Sequence, residues 1–148
     1  MLQCTAVTQV PPDEVLSALT TSDGQPDEPP DGLGPDHFLL CELAGHDEHI
    51  EHAAHLWPAE TPSAPAPWFF WTGTGADLVH RVDTVPWCPA VLRHLGTGVV
   101  RLCAFFDHHV APHSWSVTDP LGDLIAERVV SDDHGHEGPD RPGGRPQP

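Results

Sequence analysis

Residues 103–120 read Cys-Ala-Phe-Phe-Asp-His-His-Val-Ala-Pro-His-Ser-Trp-Ser-Val-Thr-Asp-Pro, and the organisation of the chain follows from them. A looser copy occupies residues 41–62. Cys41 and His46 match Cys103 and His108, His55 and Trp57 match His113 and Trp115, and Pro62 matches Pro120. In both copies the cysteine leads the first histidine by five residues, a His-x-Trp follows, and a proline closes the block five residues after the tryptophan. A duplicated cysteine and histidine frame points to metal. Thiolate sulfur and imidazole nitrogen are the donors of closed tetrahedral zinc sites, and a small domain gains folding free energy from them.

Spacing nominates the ligands. In the second block Cys88, Cys103, His108 and His113 supply two sulfurs and two nitrogens, with four residues between the histidines, inside the usual zinc spacing. Cys88 and Cys103 stand further apart than the two cysteines of a standard knuckle. The first block offers Cys41, His46 and then a choice. Alignment on His-x-Trp selects His55, whereas zinc spacing from His46 selects His52, and the remaining cysteine, Cys4, is poorly placed as a fourth ligand because it sits at the N-terminus ahead of the linker. One shared site built from Cys41, Cys88, Cys103 and a histidine is the alternative to two separate ones.

The string Cys41-Glu42-Leu43-Ala44-Gly45-His46, with further histidines and Trp57 behind it, resembles a zinc-finger-like block found in small uncharacterised actinobacterial proteins. In that block a cysteine, a leucine, a Gly-His pair and a further histidine follow in that order. The resemblance covers about 20 residues, with an echo from Cys103, and implies bound zinc without implying an activity. This chain departs from the block where Asp47 and Glu48 follow His46 in place of a second glycine, and where Asp107 replaces the glycine before His108.

Outward from these blocks the chain divides into three. Residues 1–36 form an N-terminal segment with a short helix over 11–19 and an acidic, proline- and glycine-rich linker; residues 37–130 form the globular core; residues 131–148 form a disordered tail. Residues 37–43 read as a strand entering the first block, and 47–56 as a helix with acids in its first turn. Residues 67–72 and 77–82 read as a hairpin around Gly73-Thr74-Gly75, because aromatic and β-branched residues flank the glycines. Residues 99–106 and 113–118 are further strand candidates, and 121–130 has helical spacing after Asp119 and Pro120. The expected fold is therefore a small α+β domain of short antiparallel strands and two or three short helices, with a degenerate internal duplication. Trp57, Trp68, Trp71, Trp87 and Trp115 belong to its core.

Charge narrows the function. The chain carries 22 acids against 6 arginines and no lysine, a formal net charge of −16. Before Arg81 there are thirteen acids and no basic side chain other than histidine. Nucleic-acid affinity depends on cations that displace phosphate counterions, so direct nucleic-acid binding is not expected. A protein partner with a basic surface is. Residues 1–10 lack the positive start and apolar stretch of a secretory leader and no run nears the ~18 apolar residues that span a bilayer, so no export signal, no membrane role and a cytoplasmic location are expected. In a reducing compartment four cysteines point to metal or buried thiols rather than disulfides.

Catalytic motifs are missing. The chain has no His-Glu-x-x-His, no Pro-Cys-x-x-Cys, no Gly-x-Ser-x-Gly and no Gly-x-x-x-x-Gly-Lys. The expectation is a zinc-stabilised protein that acts through protein contacts and is not itself catalytic. Two alternatives stand beside it: a metal-dependent or thiol enzyme using Cys88, Cys103 and nearby histidines, and an acidic mimic of nucleic acid.

Overall fold

The computed structural model describes residues 1–14, 17, 37–57, 61, 63–120 and 122–124. Its centre is the aromatic run predicted as the first arm of a hairpin. β4 (Ala66–Thr72) carries Trp68, Phe69, Phe70 and Trp71, and six of its seven residues are buried. Side chains alternate across a strand, so burial of both parities means that both faces of β4 are covered. The strand lies in the middle of a three-stranded antiparallel sheet, between β3 (His52–His55) and β5 (Val79–Val85). Pro67, which has no N–H to give a ladder, sits where β3 no longer pairs, and its carbonyl accepts from Leu56 N–H at 2.9 Å.

The β4–β5 connection needs glycine at one position. Gly73 has φ +73°, and a Cβ there would lie 2.3 Å from the Asp77 carbonyl oxygen. The chain then passes through a 3-10 turn at Gly75–Asp77 into β5, which alternates between exposed and half-buried residues from Val79 to Asp83.

Two short hairpins complete the first of two compact units, Met1–Thr118. β1 (Val7–Gln9) pairs with β2 (Phe38–Leu40), and β6 (Val91–Arg93) pairs with β7 (Val100–Leu102), both antiparallel. Leu43, Trp68, Phe69, Phe70, Trp71 and Phe105 form the heart of the core, and Cys41 and Cys103 are buried among them. Phe106 meets Trp68 and Phe70 edge-on at 5.2 and 5.0 Å. In the second unit, Asp119–Pro148, residues 122–124 are helical, and Asp119 caps that turn by accepting from Gly122 N–H at 3.0 Å.

The molecule is a small α+β domain, mostly β, of short antiparallel pairings with few helices. Two local expectations are overturned. Residues 47–56 are not a helix: 48–49 form a turn and 52–55 form β3, because Ala53 and Ala54 bury fully against Phe70 and Phe69 across the ladder. Tertiary pairing here overrides the acidic residues that suggested a helix start. Residues 114–116 are a 3-10 turn rather than a strand. Helical backbone is present at 12–14 and 17. The linker expected before Asp36, the end of the helix predicted over 121–130, and the tail lie outside the described residues.

Candidate metal centres

Each hairpin delivers two cysteines to one point by the same backbone route. Cys4 N–H donates to Leu43 O at 2.8 Å, and Cys41 N–H returns a bond to Ala6 O at 2.8 Å. In the other copy Cys88 N–H donates to Phe105 O at 2.8 Å, and Cys103 N–H to Ala90 O at 3.1 Å. Two residues before the first cysteine, Leu2 O accepts from Gly45 N–H and Pro86 O from Asp107 N–H, both at 2.8 Å. The bridges Gln3–Ala44 and Trp87–Phe106 occupy equivalent positions, as do the cross-strand pairs Val7–Leu40 and Val91–Leu102. Bond for bond, 2–9 with 38–45 is repeated by 86–93 with 100–107. The copies differ in what joins their strands: residues 10–37 in the first, and 94–99 in the second, where Gly98 at φ +69° closes the turn.

Histidines complete each site from the segment after the second cysteine. The first cluster is Cys4, Cys41, His46 and His52, and the second is Cys88, Cys103, His109 and His113. In each, one donor atom from every residue lies within 4.8 Å of the others. The finer spacing is diagnostic. Tetrahedral zinc with Zn–S about 2.3 Å and Zn–N about 2.0–2.1 Å requires neighbouring nitrogens about 3.3 Å apart and sulfur–nitrogen pairs about 3.6 Å apart. The nitrogens of His46 and His52 are 3.2 Å apart, as are those of His109 and His113. Cys41 and Cys4 sulfurs lie 3.5 and 3.6 Å from His46 Nε2 and His52 Nδ1. Cys103 and Cys88 sulfurs lie 3.5 and 3.7 Å from His109 Nε2 and His113 Nδ1.

The tautomers follow from simple chemistry. His46 Nδ1 meets the Asp47 carbonyl at 3.0 Å, and His109 Nδ1 meets the Ala111 carbonyl at 2.8 Å. A carbonyl only accepts, so each Nδ1 carries the hydrogen and each neutral ring turns the bare Nε2 lone pair to its cluster. The second histidine of each pair enters by Nδ1 instead, against a tryptophan: His52 lies 5.4 Å from Trp71 and His113 lies 4.7 Å from Trp115. β3 fixes His52 through its pairing with Trp71, and the bond from Ala104 N–H to Ser114 Oγ at 2.9 Å ties the His113 segment to Cys103.

Protonation favours uncharged histidine donors. Burial pulls His52 and His109 below the usual imidazole range, with the neighbouring His46 and His113 acting in the same direction. Burial also pushes the Cys41 thiol up to about 12 and raises that of Cys88. A divalent cation would offset that cost of burial by compensating the thiolates.

The sequence-nominated residues separate clearly. Cys41, His46 and His52 meet in the first site, joined by Cys4; Cys88, Cys103 and His113 meet in the second. His55 is outside: its ring faces the Glu42 carboxylate, whose Oε1 also accepts from His55 backbone N–H at 3.1 Å. His108 is outside too, its side chain 94% exposed beside Asp107, and His109 takes its place. The cause is a one-residue insertion. His108 has φ +60°, the only positive value at a non-glycine among the described residues, and this left-handed step turns the next residue inward. The equivalence of Cys4 and Cys88 had a signal in the sequence, since Cys4-Thr5-Ala6-Val7 and Cys88-Pro89-Ala90-Val91 share a Cys-x-Ala-Val pattern. Cys4 and Cys88 are equivalents, and the shared-site alternative is overturned by their separate clusters.

The chain is thus a small protein with two similar Cys2His2-type clusters compatible with metal binding. No known protein family matches it, and neither a curated protein nor a solved structure is significantly similar to it. No helix among the described residues is long and apolar enough to cross a membrane.

Proposed function

We propose that each cluster holds one zinc ion, that the two ions stabilise the fold, and that the protein works through contacts with a protein partner rather than by catalysis. The observation that carries the zinc reading is the donor spacing, which fits a tetrahedral ion twice over in independent copies. Soft thiolates with imidazoles select zinc over the hard cations magnesium and calcium. The likeness of Cys41–His46 to the actinobacterial zinc-finger-like block points the same way.

A catalytic zinc keeps a coordination position open for water or substrate, whereas a structural one is closed by four protein donors. Both clusters supply four. Contact with a partner is supported by what the hairpins leave outside. Val7, Phe38 and Leu40 share one face of β1–β2, and Val91, Val100 and Leu102 share the equivalent face of β6–β7. All six are exposed, and Leu95 at the second hairpin's tip is 99% exposed. Apolar exposure repeated at equivalent positions is a mark of an interaction surface. A net charge of −16 favours a partner with a basic surface.

Elemental analysis tests the metal reading. Purified protein is expected to hold two zinc ions per chain, and Cys4→Ser or Cys103→Ala one each. Protein free of zinc, or Cys4→Ser still holding two, would overturn the assignment.

A further inference from the structure

A pocket of about 480 Å³ opens between the two metal loops. It is lined by Ile50 and Glu51, from the loop that joins His46 to His52, by Asp107 and Val110, either side of His109, and by Phe70 and Phe106. Its volume is typical of ligand sites and exceeds one side chain. Its lining carries three carboxylates, Glu51, Asp83 and Asp107, one guanidinium, Arg81, and the rings of His49, His108 and His109, with His108 3.3 Å from Asp107.

That guanidinium is held between two carboxylates. Arg81 Nε and Nη2 donate to Glu51 at 3.2 and 2.9 Å, and Nη1 donates to Asp83 at 3.2 Å. Its carbon lies 4.0 Å over the centre of the Phe70 ring. An anion entering here would have to strip Arg81 of two carboxylates, whereas a cation meets net negative charge and aromatic surface, the combination the pocket already offers its own arginine. We propose that the pocket receives a short segment of the partner protein that carries an arginine or lysine next to an apolar residue. The proposal rests on the two-zinc reading, because the loops that wall the pocket are the segments the ions would hold in place.

The test uses the zinc-loaded full-length chain and backbone amide NMR. The probes are acetyl-Leu-Arg-Leu-amide, its Gln and Glu counterparts, and methylguanidinium. The arginine peptide is expected to shift the amides of Ile50, Glu51, Asp107 and Val110 saturably, at least tenfold more tightly than the Gln or Glu peptides or methylguanidinium. Asp83→Asn is expected to weaken it about three- to fivefold, the scale of a partly exposed charge pair, while Arg81 stays held by Glu51. Asp13→Asn, away from the pocket, is expected to change nothing. Equal binding of the Gln peptide, equal binding of methylguanidinium, or an unaltered affinity in Asp83→Asn would each overturn the proposal. Zinc content measured on the same sample separates the two failures: two ions with no discrimination sinks the pocket alone, and absence of zinc sinks the reading beneath it.

Discussion

Adjacent histidines 108 and 109 allow a sharp test of the second centre. His109 Nε2 is 3.5 Å from Cys103 sulfur and 3.2 Å from His113 Nδ1, whereas the His108 side chain is 94% exposed and touches only the Asp107 carboxylate at 3.3 Å. Structural zinc in small Cys2His2 domains binds with about 10–16 kcal/mol of apparent free energy. Shared among four donors, that is about 2.5–4 kcal/mol each, so His109→Ala should weaken the second site about 10²- to 10³-fold. His108→Ala removes an exposed pair worth at most about 1 kcal/mol, a change of no more than about fivefold. The assay is a competitive zinc titration against a chromophoric chelator, with elemental analysis after gel filtration. His109→Ala is expected to retain one zinc per chain and His108→Ala two, the intact first site acting as an internal control for folding. Loss of an ion from His108→Ala with full retention in His109→Ala would refute the geometric assignment and restore the one based on spacing.

Two further variants probe the frame around the sites. Gly73→Ala places a methyl 2.3 Å from the Asp77 carbonyl at a positive φ, and thermal melts should show a loss of at least about 2 kcal/mol. The His55–Glu42 pair gives a pH signature. The hydrogen bond from the His55 ring to the Glu42 carboxylate, aided by the carboxylate's charge and opposed by burial, raises His55 above its ordinary value, so the pair's contribution is fully present below the unfolded imidazole pKa of about 6.5 and is lost as pH rises through the higher folded value. The stability gap between wild type and Glu42→Gln should thus be largest near pH 5.5, at no more than about 1 kcal/mol for a partly exposed pair, and close by pH 9. A gap that grows with pH would contradict the assignment.

Much of this architecture was legible because the residues that specify it act locally. The glycines at 73 and 75 mark the β4–β5 turn, the aromatic run marks the central strand, and Asp119 before Pro120 marks a helix start. Cys41, Cys88, Cys103, His46, His52 and His113, which the fold gathers into the two clusters, were all reachable as candidates from type and spacing. What spacing could not supply was direction. His55 aligns with His113 by sequence, but on β3 His52 and His55 differ by an odd step and so face opposite sides of the strand. Only pairing with Trp71 decides which of them meets His46. Likewise a single left-handed residue at His108 converts a five-residue offset into a six-residue one, and a backbone torsion has no periodicity to betray it.

The two copies also show which parts of the frame the geometry constrains. Between them the offset from second cysteine to first histidine changes from five to six residues, and that between the histidines from six to four. The hairpin connection changes from residues 10–37 to 94–99. Yet the reciprocal Cys N–H bonds, the flanking bridge and the Nε2-then-Nδ1 order of histidine donors are the same in both. Loop length costs little, because closure entropy grows only logarithmically with it. Donor separation is far less forgiving, because a tetrahedral ion fixes it to a few tenths of an ångström. The two copies therefore differ in their connections and agree in their donor geometry, which is the agreement that the proposed ions would require.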